Sequence, residues 1–124
     1  MRGLLGLALY AWAVTAAAEC LLYERDVTLA GVVNYRALAS PRESAAILEV
    51  EPPVCVRSRR QDDPVNVPRD NIRLIQLVLL PSISRPLPGS KIAVTGTLFG
   101  ADTEQHRTRV LLYVKTIDQA YERR

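Results

Sequence analysis

The whole chain contains one histidine, His106. A metal centre of clustered imidazoles is therefore excluded, and a Ser or Cys nucleophile would have a single candidate base. No Ser or Cys lies close in sequence to both that histidine and a carboxylate. No glycine-rich segment has the form of a phosphate-cradling loop. Aromatic residues are only 6% of the chain. The loop that carries Arg57, Arg59 and Arg60 holds no aromatic residue, so the exposed stacking platform of single-strand binders is missing and nucleic acid is disfavoured as a partner. Lysine is nearly absent as well: Lys91 and Lys115 stand alone among 16 Lys and Arg residues. The formal net charge of +3 is mild and argues neither for nor against an anionic partner.

Long apolar runs are also lacking. The longest, Leu4 to Val14, falls short of the ~20 residues that span a bilayer. Arg2 precedes it and Ala16-Ala17-Ala18 follows it, which is the order of a secretory signal peptide with an A-x-A cleavage site. Residues 1–18 are expected to be removed, leaving Glu19 first, without stable membrane insertion. Cys20 stands near enough to raise a lipoprotein reading, but Glu19 occupies a place where a lipobox needs a small residue. The expected location is the periplasm or the exterior.

Two cysteines, Cys20 and Cys55, remain in the mature chain. Export and an even count favour one disulfide between them; two buried thiols are the alternative.

The remainder reads as strands. Ile92, Val94 and Leu98 share one face of an extended segment with Gly96, and Ala93, Thr95, Thr97 and Phe99 share the other. That period-2 pattern with β-branched enrichment predicts a strand. Arg109 to Ile117 is apolar on both faces, with Val110, Leu112 and Val114 opposed to Leu111, Tyr113 and Ile117, as in a strand inside a closed sheet. Val27 to Arg36 is a long strand with Gly31 in its middle. Mid-strand glycines mark bulges or bends, and Gly96 holds the same position in the later strand. Ala37 to Arg42 forms a turn. Ile47 to Val50 is a strand interrupted by Pro52-Pro53 and resumed at Val54. Arg57 to Asn71 is a solvated loop whose charges compensate one another, and Ile72 to Leu80 is a strand. Pro81 to Gly89 is too rich in proline for a helix. The expectation is an all-β domain over residues 19–118, a small five-stranded OB-like Greek-key barrel with a polar tail at 119–124. An open β-sandwich is the runner-up.

Four segments carry a family resemblance: Val54-Cys55-Val56, Ile75-Gln76-Leu77-Val78, Gly96-Thr-Leu-Phe-Gly-Ala101, and Thr108-x-Val110-Leu-Leu112. They resemble, in the same order, the exported bacterial domain of unknown function numbered 4431. The similarity runs from Ile47 onward and is weaker around Cys20, Tyr23 and Val27-Thr28. The resemblance implies an exported β-domain and supplies no activity. Its relatives carry clustered histidines where this chain has Thr103 to Thr108 with His106 alone. They also look more helical across residues 81–88.

The polar connection from Gly100 to Thr108 is the concentrated candidate site, with Asp102, Glu104, His106 and Arg107 as its binding residues. In OB barrels, this connection borders the binding face. Asp102, Glu104 and His106 alternate, so an extended segment would turn all three one way. A metal held by those three is a secondary reading, and a lone imidazole gives it little support. Asp62-Asp63 lack the apolar shielding that raises a carboxylate pKa. The expected role is a non-catalytic binding or adaptor domain with no cofactor. A protein, glycan or small ligand of the cell envelope would bind at the barrel face and the 100–108 loop.

Overall fold

The computed structural model describes residues 19–37, 44–102 and 106–119. The segment 1–18 expected to be a signal peptide, the turn around Pro41, Glu104 and the tail from 120 onward lie outside the described residues. The described residues are all-β, with six strands in one sheet. They are β1 (Leu21–Leu22), β2 (Asp26–Ala37), β3 (Ser44–Arg57), β4 (Arg69–Val78), β5 (Lys91–Gly100) and β6 (Val110–Asp118).

β2 pairs antiparallel with β3 and β5, β5 pairs antiparallel with β6, and β6 runs parallel to β4. β4 also pairs antiparallel with β3, so the hydrogen bonds followed from β3 through β2, β5, β6 and β4 lead back to β3. Two features depart from the expected regular five-stranded barrel. A sixth strand, β1, adds to β3 in parallel, and the β3–β4 ladder carries register shifts on both sides of Val54.

The predicted break at Pro52-Pro53 is corrected to a continuous 14-residue β3 with a cis Glu51–Pro52 peptide. Proline removes a ladder donor, and the cost falls where the ladder is already interrupted. Glu49 faces Leu74, and the next pair is Val54 with Ile72. Residues 50–53 of β3 therefore stand against Arg73 alone, as a wide bulge.

The alternation in β5 sorts as its sequence predicts. Ile92, Val94, Gly96 and Leu98 are buried, and the residues between them are partly exposed. In β6 the expected faces hold as far as Val114. The β5–β6 register then shifts between Thr95 and Gly96, because Thr95 faces Thr116 while Gly96 faces Val114. The residue gained at Lys115 turns Ile117 to the inner side, where it packs on the core. A side chain at Gly96 would collide with the Tyr113 carbonyl. Gly31 serves differently. Neither ladder of β2 slips there; instead, Gly31 pairs with Val50 and with Ile92 where β2 passes from one neighbour to the other.

The core gathers Val33, Leu48, Ile75, Val94, Leu98 and Leu112 with their neighbours, all fully buried. Tyrosines cover the core at two places. Tyr23 is wholly buried, and its hydroxyl donates to the Val67 carbonyl. Tyr35 packs on the core and donates to the Pro86 carbonyl beneath the Arg85 guanidinium. Burial raises both phenol pKa values. Leu79 and Ile83 pack from the proline-rich connection between β4 and β5, which crosses the core without a helix.

The disulfide expected between Cys20 and Cys55 is present, with the Cα atoms 4.8 Å apart. It ties the residue before β1 to the strand that β1 joins. Both cysteines are thereby oxidised, and no free thiol remains among the described residues. None of those residues forms a helix long and apolar enough to cross a membrane.

Candidate functional site

The site begins with residues whose burial contradicts their parity. Gln76 and Leu111 face outward by alternation from Ile75 and Leu112, yet Gln76 is 7% exposed and Leu111 not at all. They form one row of the sheet with Ile47, because Ile47 faces Gln76 and Gln76 faces Leu111. Arg107 and Thr108, from the connection between β5 and β6, lie against this row. The Gln76 backbone N–H donates to Thr108 Oγ1 at 2.9 Å, and the Arg107 N–H donates to Gln76 Oε1 at 2.5 Å. Thr108 in turn donates to the Val110 carbonyl. These bonds engage partly buried polar groups, whose loss would be costly. The connection is thus fastened to β4 at its end nearest β6.

Asp102 and His106 come together. The Asp102 N–H donates to His106 Nδ1 at 3.0 Å, and the carboxylate stands 3.6 Å from the same nitrogen. The His106 ring meets Phe99 edge-on, and Phe99 stacks on Tyr113 at 4.1 Å between centroids. With the Nδ1 lone pair engaged by a backbone N–H, a metal would have only Nε2 to use. No group of three or more His, Cys, Asp or Glu among the described residues could hold a metal ion. Glu104, the third member of the predicted trio, lies outside the described residues.

A groove of about 730 Å³ opens beside this connection. Arg36 reaches it from β2, Glu49 from β3, Arg69 and Arg73 from β4, and Arg107 and Arg109 from the connection. The β3–β4 bulge contributes directly. Arg73 has the same parity as the core residues Ile75 and Leu77, but it stands in the interrupted part of the ladder and is exposed. Bulges commonly re-aim a side chain in this way. Asn71, with a positive φ of 53°, lies in the groove wall near the start of the same strand.

Elsewhere on the described surface, several cations stand next to carboxylates. Arg57 pairs with Asp70, Lys115 with Asp26, and Arg59 and Arg60 with Glu24, Arg60 also meeting Asp63. None of the five groove arginines makes an ion pair among the described residues.

The loop from Arg57 to Asn71 is more ordered than a solvated loop. Asp63 accepts the N–H groups of Val65 and Asn66, and these bonds hold its carboxyl below the usual carboxylate range. Asn66 is buried; its amide donates to Glu24 and its oxygen accepts the Gly100 N–H at 2.7 Å. The loop is therefore docked on the end of β5, just before the candidate connection begins.

Sequence reasoning placed Arg107 in the site and missed Arg36, Arg69, Arg73 and Arg109. Separate strands and a connection supply them, so no local motif unites them. A partial signal existed: Arg69, Asn71 and Arg73 alternate along one strand.

Comparison with known families reaches the second half of this architecture. Residues 74–118 match the family model of the domain of unknown function 4431. The DUF4431 match opens in β4 and closes at the end of β6. It contains Gln76, His106, Arg107 and Arg109, while Arg36, Glu49, Arg69 and Arg73 precede it. No curated protein and no solved structure matched the chain significantly.

Proposed function

We propose that the chain is an exported, non-catalytic binding domain that takes its ligand in the groove between β4 and the 101–109 connection. The observation that carries this reading is the groove itself, where an interrupted ladder and a fastened connection converge. The pairing order supports an OB-like description: five strands in a ring, a single parallel pair between the third and the last, and an additional β1. In that fold, the second and third strands and the loop joining the last two line the binding face. Their counterparts here are β3, β4 and the 101–109 connection. A binding role is also favoured by the chemistry at hand, since both thiols are oxidised and the one imidazole is turned to a backbone amide.

Amide NMR titration with a panel of glycans, peptides and nucleotides tests the site. A ligand is expected to shift Arg73, Gln76, Thr108 and Arg109. Shifts confined to β2 and β5 around the Thr28–Thr95 side-chain hydrogen bond, or no response from any panel member, would overturn the assignment. Export is supported by the order Arg2, apolar run, Ala16-x-Ala18 and by the disulfide. The intact mass of protein recovered from an exporting bacterium is expected to correspond to a chain beginning at Glu19, and a retained Met1 would contradict it.

A further inference from the structure

We infer that the groove selects an anionic saccharide, a sugar chain bearing sulfate, phosphate or carboxylate groups; this rests on the binding-site reading above and names its ligand class. Arg36, Arg69, Arg73, Arg107 and Arg109 converge on one open groove, and Glu49 is the one carboxylate in its lining. The whole chain carries a formal charge of only +3. The concentration in the groove is therefore a matter of placement, since Arg57, Arg59, Arg60 and Lys115 are each matched by a carboxylate elsewhere. Five like charges set together repel, and the fold gains nothing from that repulsion. A bound oxyanion reverses the balance.

Arginine suits the task better than lysine. Its planar fork of donors meets a sulfate, phosphate or carboxylate through two parallel hydrogen bonds. Five arginines line a groove of about 730 Å³, room for several oxyanions rather than one. The sites of attachment differ in stiffness. Arg69 and Arg73 stand on β4, and Arg107 is held by its backbone N–H on Gln76.

Glu49 decides between polyanions. A carboxylate among arginines repels a uniformly charged strand but accepts hydrogen bonds from a hydroxyl or amino group. A charged sugar offers both, anionic groups for the arginines and hydroxyls for Glu49. Nucleic acid offers bases that need aromatic faces to stack on. The one ring in the groove lining is His106, which is turned to the Asp102 N–H, while Phe99 and Tyr113 are stacked on each other and are not part of the lining.

The test titrates the full mature chain with a fluorescent, fully sulfated heparin-type hexasaccharide and reads anisotropy. Comparison arms use the desulfated hexasaccharide, a single-stranded oligonucleotide of equal charge, and vesicles carrying a phosphorylated glycolipid headgroup. The sulfated sugar is expected to bind about tenfold or more tighter than the desulfated one, which keeps only its carboxylates. The paired substitution R73A/R109A should weaken binding by roughly a hundredfold, at about tenfold for each guanidinium removed from a charge-assisted pair. Arg25→Ala removes a charge from an exposed turn outside the groove and should leave affinity within about twofold. Glu49→Gln should narrow the preference for the sugar over the oligonucleotide. Binding to vesicles in place of the free hexasaccharide would assign the anion to a lipid headgroup and overturn the soluble-chain form of the inference. Equal losses from R25A and from R73A/R109A, or equal affinity for the oligonucleotide, would reduce the groove to unspecific attraction and overturn it outright. If an uncharged panel ligand shifts the groove amides while the sulfated sugar does not bind, this inference falls and the binding site stands. If neither binds there, both fall.

Discussion

Asp63 shows how much a single side chain organises. Its carboxylate takes two backbone N–H groups two and three residues ahead, a turn in which the side chain replaces a backbone acceptor. Those bonds stabilise the charged form and lower its pKa from the ordinary value near 3.8. A carboxylate whose folded pKa is depressed contributes stability that is present above the unfolded pKa and lost as pH falls through the folded one. Asp63→Ala should therefore lower Tm at pH 7, and Asp63→Asn should lower it less because an amide oxygen still accepts. The gap between wild type and Asp63→Asn should narrow as pH falls below the unfolded value and through the depressed folded one. Thermal melts followed from neutral pH into acid measure it, and a gap of constant size throughout would show that the charge plays no part. Because Asn66 in the same turn holds the Gly100 N–H, loss of the turn should also loosen the start of the 101–109 connection.

At the scale of elements, Gly96 and the disulfide each act on the joining of two strands. Gly96 stands where β5 and β6 slip register, and its missing Cβ leaves room for the Tyr113 carbonyl. Gly96→Ala places a methyl group against backbone, which cannot rotate away as a side chain would. A loss of about 3 kcal/mol in urea unfolding is expected, at the upper end for overpacking. A change below about 0.5 kcal/mol would mean that the bulge re-forms elsewhere. The Cys20–Cys55 bond closes a loop with a sequence separation of 35. On the chain-entropy account, removing it in C20S/C55S should cost about 3–4 kcal/mol. Titration of the untreated, unreduced protein with a thiol reagent should find no reactive sulfur, and two equivalents would contradict the bond. β1 is only two residues long, so its pairing with β3 should be the first to open when the bond is removed.

The whole molecule distributes its charge unevenly, and stability should register that. Arg73 is exposed and stands in the groove with four other guanidiniums. Its removal relieves repulsion and leaves no buried group unsatisfied. Arg73→Ala should keep or raise stability by up to about 0.5 kcal/mol at low ionic strength, whereas most substitutions destabilise. At about 1 M salt, where the screening length is about 3 Å, the gain should vanish. Denaturant melts at both ionic strengths provide the check. A drop in stability at low salt would show that Arg73 has a structural partner and would remove the premise that these charges are held for a ligand.

The strands and their faces are local properties, and the sequence by itself determined them. Alternation in Lys91 to Gly100 placed Ile92, Val94 and Leu98 inward because a side chain's direction in a strand depends only on its neighbours along the chain. The all-β class follows from the same local pattern, and the Cys20–Cys55 pair from the presence of only two cysteines behind a signal-peptide pattern. The segment at 74–118 was legible as a family resemblance for the same reason: its motifs are short and contiguous. What only the tertiary structure decided depends on register. The slip at Gly96 moved Ile117 to the core, and the pairing of Ile47, Gln76 and Leu111 set a buried row on the face that parity assigns to solvent. The continuity of β3 through two prolines was settled in the same way, by the gap opposite Arg73 that spares their missing donors. The groove is the furthest from the sequence. Its arginines come from positions 36, 69, 73, 107 and 109, and only the closure of β3 onto β4 makes them neighbours.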